Sequence, residues 1–143
     1  MLRNQPSLSL DLALLAMPAV LAEARELGVR VSVSMVDAAG QLIHLAHMDG
    51  APALSREIAQ DKAYTAASFG LSTGQWESRL SRAPASVREG LALRPRMVLF
   101  AGGEPVRVEG VTVGAIGVSG ASAEQDEQCA QAGVRAILAA LGQ

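Results

Sequence analysis

Few residues of this chain offer chemistry beyond ordinary carboxylates and guanidiniums. They are His44, His47, Lys62 and Cys129. The histidines invite a metal reading. They stand three apart on a segment that reads as a strand, so a regular strand sends them to opposite faces and cannot aim both at one ion. No metal site is expected. His47 is the better functional candidate, because it stands beside Asp49 and a turn. An imidazole there can be general acid or base, with Asp49 as its orienter. Structural packing is the competing reading for each ring. Lys62 stands alone against 11 arginines. Genomic base composition explains such a bias, yet a lysine can do amine chemistry that arginine cannot. It can pair with substrate charge or form a Schiff base. Cys129, in an alanine-rich helical stretch, reads as buried packing rather than a nucleophile.

Two glycine-bearing segments could hold an anion on backbone N–H groups. Gly102-Gly103-Glu104-Pro105 looks like a phosphate loop but precedes a strand, so the nucleotide reading is weak and turn duty accounts for both glycines. Val118-Ser119-Gly120-Ala121-Ser122 runs into a helix N-terminus, where amides lack intrahelical partners and a carboxylate can sit. Simple capping by Ser122 is the alternative. Ser119 lacks the surroundings of a nucleophile elbow, so a serine hydrolase is not supported. Asp37, in Asp37-Ala38-Ala39-Gly40, reads as a turn former rather than a catalyst.

The elements that must position these groups follow from periodicity. Residues 7–27 have helical spacing, and Pro18 is expected to kink or break that helix. Residues 29–36 and 41–48 read as two strands joined by a hairpin. Residues 54–69 are helical, with Ala59, Ala63, Ala66 and Ala67 as a small-residue face expected to bury against another subunit. Shorter helical pieces follow at 72–80 and 84–93. Residues 96–100, 104–108 and 111–118 read as three more strands. A last helix, 123–141, opens with Ser122 and Gln125 as a capping box. Hairpin plus meander predicts an α+β fold with one mostly antiparallel sheet of five strands flanked by helices.

Composition sets the outer limits. A chain of 143 residues is the length of one domain, residues 1–143. Half the residues are apolar and 18% charged, which excludes global disorder. Aromatics are 3% and the net charge is −2, so stacking platforms and basic patches for nucleic acid are missing. The apolar run at 8–21 is too short and too interrupted to span a bilayer. One cysteine excludes an intrachain disulfide, and a cytoplasmic protein is expected.

Taken in order, several of these motifs resemble one family. They are Val36-Asp37-Ala38-Ala39-Gly40, Met48-Asp49-Gly50-Ala51 and Ala59-Gln60-Asp61-Lys62-Ala63-Tyr64-Thr65-Ala66. The second half adds Gly102-Gly103-Glu104-Pro105-Val106, then Gly114-Ala115-Ile116-Gly117-Val118-Ser119-Gly120-Ala121, then Gln125-Asp126-Glu127. Across residues 8–141 the chain resembles the GlcG/HbpS family, which includes the C-terminal domain of PduO-type proteins and is often labelled haem-degrading. The resemblance implies a profilin-like fold, a homo-oligomer, and haem or another tetrapyrrole as ligand of some members. Two departures matter: the family usually has arginine where this chain has His47, and Pro18 interrupts the first helix.

Two functions compete. The first is an oligomer that binds a small molecule, haem or another tetrapyrrole favoured, with His47, Lys62, Gly102, Gly103, Ser119 and Gly120 around the ligand. The second is a cofactor-independent enzyme acting on a small organic acid. Its catalytic residues would be His47, Asp49 and Lys62, with the Ser119-Gly120 turn as carboxylate or oxyanion site. An accessory protein without chemistry is a third reading. On either of the first two, His47, Asp49 and Lys62 share one pocket. Lys62→Arg is then expected to impair binding while sparing the fold.

Overall fold

The Asp37 turn shows how local chemistry sets the framework. Asp37 Oδ1 accepts from the amides of Ala39 and Gln41, at 2.9 Å each. Gly40 takes φ +80°, a conformation that favours glycine. Asp37 is thus a turn former, joining β1 (Ser32–Asp37) to β2 (Leu42–His47). The computed structural model describes residues 1–143, and the remaining elements follow in chain order. They are α1 (Leu10–Glu26) before the hairpin, then α2 (Ser55–Phe69), α3 (Trp76–Ser81), α4 (Ala85–Ala92), β3 (Gly103–Val108), β4 (Val111–Ser119) and α5 (Ala123–Ala140). The strands form one antiparallel sheet in the order β2-β1-β4-β3. The fold is α+β, as expected.

The sheet has four strands, not five. Residues 96–100 do not pair, because α2 claims their backbone. Thr65 Oγ1 donates to the Arg96 carbonyl at 2.8 Å and accepts from the Val98 amide at 3.1 Å. Arg96 has φ +67°, and its guanidinium lies over the Tyr64 ring and pairs with Asp61. Side-chain bonds therefore replace the ladder that an apolar pentapeptide suggests.

Pro18 does not break the first helix: it lies inside a continuous α1. A proline removes one N–H and leaves one carbonyl of the preceding turn unpaired. Pro18 stands on the exposed side of α1, where water can serve that carbonyl.

Helices cover both faces of the sheet. On one, α1 and α5 enclose the main core, including Val20, Val31, Val33, Met35, Ile116 and Ile137. Each such side chain contributes about 1.5–3 kcal/mol when fully buried. Gly133 keeps α5 close, since a Cβ there would lie 2.6 Å from Ile116 and Val20. The capping box of Ser122 and Gln125 forms as expected. On the other face α2 lies against β1 and β4. Ala63, Ala66 and Ala67 pack on Val36 and Ala115, and Ala59 is likewise buried. The alanine face is therefore spent within the chain, and is not a subunit surface as the composition suggested. Its small side chains serve close approach: a Cβ on Gly117 would lie 2.0 Å from the Ala59 carbonyl oxygen. No helix is long and apolar enough to cross a membrane.

Candidate functional site

Two polar centres lie at the same end of the sheet. The first is built around Lys62, which α2 carries toward β4. Lys62 and Asp126 are 1% and 2% exposed, so the pair is sealed from water. Lys62 Nζ donates to Asp126 Oδ2 at 3.1 Å and to the Val118 carbonyl at 2.9 Å. The half-exposed Phe100 ring lies 5.0 Å from the ammonium. Burial pushes the Lys62 amine below its ordinary value, against the pull of Asp126. Burial pushes the Asp126 carboxyl up, against Lys62 and the Ala121 and Gly120 amides. The same environment raises Cys129 to about 11, chiefly by burial and then through Asp126 and Glu23, so the thiol is inert packing.

Glycines close this centre. A Cβ on Gly102 would fall 2.5 Å from Lys62 Nζ and 2.6 Å from the Val118 oxygen. The Gly103 amide, expected as an anion donor, already binds Thr73 Oγ1 at 2.9 Å. The Ser119-Gly120 turn is equally committed. Ala121 N–H donates to Asp126 Oδ1, Ser122 N–H to Gln125 Oε1 and Gln125 N–H to Ser122 Oγ. Ser119 is itself buried. Beside this centre Glu104 accepts from Ser72 Oγ at 2.5 Å through Oε2, while its buried Oε1 has no partner. Burial raises the Glu104 carboxyl, with Ser72 and Gln131 opposing and Glu127 adding to the rise.

The second centre is open. His47 ends β2, the edge strand, and pairs in register with Ser32 of β1. Ser32 faces α2, whereas His44 pairs with Met35 of the opposite core. The two imidazoles thus leave the strand by opposite faces, as period two requires. His47 Nδ1 lies 2.6 Å from Ser32 Oγ. Ser32 Oγ lies 2.8 Å from Ser55 Oγ, which donates to the Pro52 carbonyl at 2.5 Å. His47 borders a cleft of about 370 Å³ with Leu21, Arg25, Arg30, Ala46, Met48 and Asp49. Neither Arg25 nor Arg30 is in an ion pair. Met48 Sδ accepts from the Val31 amide at 3.5 Å.

The structure therefore brings Lys62, Gly102, Gly103 and the Ser119-Gly120 turn together, and His47 and Asp49 together, but separately. Lys62 does not reach the cleft. His47, Ser32 and Ser119 form one row across β2, β1 and β4. Two strand spacings make the backbone separation of His47 from Ser119 roughly 10 Å. Asp49 does not hold the imidazole; Ser32 does. Sequence reasoning missed Ser32 and Ser55, the arginines of the cleft, and Asp126 as the counterion of Lys62. The serines had a signal: Ser32 and Ser34 alternate with Val31, Val33 and Met35, marking a polar stripe on the face α2 covers.

A family model described as "Haem degrading protein HbpS-like" matches residues 8–135. The chain belongs to the HbpS-like family. Its fold matches a Klebsiella pneumoniae protein, ORFY, with a TM-score of 0.90 and 31% identity, covering 96% of this chain and 95% of that one. It matches PduOC in a haem complex with a TM-score of 0.81 and 32% identity, covering 90% and 94%. Corrinoid adenosyltransferase PduO of Citrobacter freundii is 35% identical over 139 residues. That match takes 94% of this HbpS-like chain but spans 41% of PduO.

Proposed function

We propose that this HbpS-like chain binds haem or a related tetrapyrrole at the cleft beside His47. The observation that carries the reading is the donor set: His47 and two guanidiniums outside any ion pair border one cleft, the imidazole leaving β2 on the α2 side and Arg25 coming from α1. His47 Nε2 has no partner in the protein and is not sealed from solvent. Histidine is a common axial ligand of haem iron. Arg25 and Arg30 suit the carboxylates of a tetrapyrrole, which guanidinium can bind bidentately. Met48 would add no further ligand in this arrangement, because its sulfur accepts from the Val31 amide.

The fit of the walls is incomplete in one copy. The cleft is within the usual range of about 300–1,000 Å³, but only Leu21, Ala46 and Met48 give it apolar surface. Leu14, Pro18 and Leu21 lie at helical spacing and extend that surface along the outside of α1 toward Arg25. A macrocycle reaching from His47 round the β2 edge to this stripe would be half covered, and a second copy would complete the slot. The reading therefore includes a homo-oligomer. Exposed Leu10, Leu14 and Leu15 on α1 support it, as does α4, which buries none of its residues. Haem bound there would supply one-electron and oxygen chemistry at its iron. The chain's own residues would ligate, orient and neutralise it.

The polar lining favours a second reading. A small organic acid would be held by Arg25 and Arg30, with His47 moving a proton. Haemin titration separates the two. A sharp, stoichiometric Soret shift that His47→Ala weakens is expected; loose, non-saturating absorbance would defeat the haem reading. Sedimentation showing only monomer at micromolar concentration would remove the oligomer.

A further inference from the structure

We infer that Ser55 and Ser32 hold neutral His47 with its proton on Nδ1, leaving Nε2 bare. The inference deepens the proposed role of His47 and rests on proton accounting along four polar groups. A carbonyl oxygen can only accept, so the 2.5 Å contact between Ser55 Oγ and the Pro52 oxygen requires the Ser55 hydroxyl proton. That proton is then spent. The 2.8 Å contact between Ser32 and Ser55 must therefore be made by the Ser32 proton. Ser32 Oγ now has only lone pairs to offer His47. The 2.6 Å contact at Nδ1 must carry the imidazole's own proton. Reversing the chain would leave Ser55 Oγ and the Pro52 oxygen facing each other at 2.5 Å with no hydrogen between them.

The direction of the relay has a chemical consequence. A neutral imidazole has one donor and one acceptor nitrogen, and the partner of the first decides the second. With Nδ1–H fixed, Nε2 can ligate a metal or take a proton, but cannot donate from the neutral form. Ser32 and Ser55 are fully or nearly buried, so water does not compete for their hydroxyls. Ser55 is held in turn by its place at the start of α2, where its own amide also binds the Pro52 oxygen at 3.0 Å. Ser55 never touches the imidazole, yet it sets the tautomer. It is a positioning residue, and such partners typically change ligand affinity about 10–100-fold.

Nitrogen NMR of the ligand-free 143-residue chain with ¹⁵N-histidine tests the relay, His44→Ala identifying the signals. The neutral His47 ring should be the Nδ1–H tautomer. Ser55→Ala releases the Ser32 proton to donate toward Nδ1, so the population should move toward Nε2–H. Ser55→Thr keeps the hydroxyl and should restore Nδ1–H. Haemin affinity should follow, falling about tenfold in Ser55→Ala and recovering in Ser55→Thr. An Nε2–H ring in the unaltered chain, or a tautomer indifferent to Ser55→Ala, overturns the relay. An Nδ1–H ring in a chain that ignores haemin leaves the relay standing and defeats the ligand reading instead.

Discussion

Lys62 and His47 stand at the same end of one sheet, and burial makes them opposites. Lys62 has its partners inside the chain: a carboxylate, a carbonyl and an aromatic face. The ammonium is sealed inside the chain, out of a ligand's reach. His47 is held at one nitrogen and free at the other, on an edge strand beside two unpaired arginines. The lone lysine of the chain draws the eye, but a charge this deep is spent on its counterion. A binding group must keep one valence unsatisfied. Residue type nominated both; only the accounting of partners separates them.

The largest effect should come from breaking the buried pair. Asp126→Ala strands an ammonium without its counterion, at a cost of about 3–5 kcal/mol. Urea unfolding should show it as a lower midpoint with an unchanged slope. Adding Lys62→Met to that variant should recover much of the loss, because no buried charge remains. Lys62→Arg, which the sequence suggested would spare the fold, should now destabilise it. The longer guanidinium has no room between Gly102 and the Val118 carbonyl. A Lys62→Arg protein of normal stability with weakened haemin binding would return Lys62 to the ligand site.

Next in size is Gly117→Ala, which tests whether α2 holds its distance from the sheet. The new Cβ would meet the Ala59 oxygen at 2.0 Å and the Ala63 amide at 2.6 Å, both backbone atoms. Overpacking costs about 1–3 kcal/mol. If α2 shifts, the Ser55 hydroxyl moves with it, so thermal unfolding and haemin titration should both worsen. A loss of stability with unaltered binding would show the His47 site to be independent of α2.

Much of this fold was legible in the sequence, for identifiable reasons. The Asp37-to-Gly40 hairpin and the Ser122–Gln125 box are local devices, written in adjacent residues. Residues 96–100 misled because their fate depends on Thr65, some thirty positions away. Whether Pro18 would break α1 was not legible, because tolerance of its missing bond depends on which side of the helix meets water. The site shows the same division. Asp49 is a sequence neighbour of His47 and was read as its orienter; the true partner, Ser32, is across the hairpin. Lys62 and Asp126 are 64 positions apart, a pairing no local pattern announces.

At the open centre the expected effects are smaller and fall on binding. His47→Ala should weaken haemin binding about tenfold or more, roughly 1.4 kcal/mol. Its cost to stability should be one hydrogen bond, about 0.5–1.5 kcal/mol. His47→Arg should add a fixed positive charge yet lose the Soret shift, since guanidinium does not ligate iron. Full Soret binding by both variants would place the ligand elsewhere and erase the contrast between the two centres.

The smallest effect should be a change in the pH dependence of stability, and it belongs to the buried side. The Glu104 carboxyl is raised above its ordinary 4.5, chiefly by burial, so between 4.5 and its raised value the folded chain binds the extra proton. Stability therefore falls as pH rises through that window and is fully present below it. Asp126, raised above 3.8, adds the same sign at acid pH. Lys62, lowered below 10.5, makes stability rise with pH on the alkaline side, between its lowered value and 10.5. Glu104→Gln removes one acid-side contribution and leaves the others. Its amide oxygen can still accept from Ser72, and its NH2 gives the unpartnered position a donor toward Glu127 and Gln131. The variant should match or exceed the parent's stability at neutral pH and lose that lead as pH falls toward 4.5. Urea midpoints measured across that range give the answer. Two parallel profiles would mean that Glu104 is ionised in the fold, and that the acid-side slope belongs to Asp126 alone.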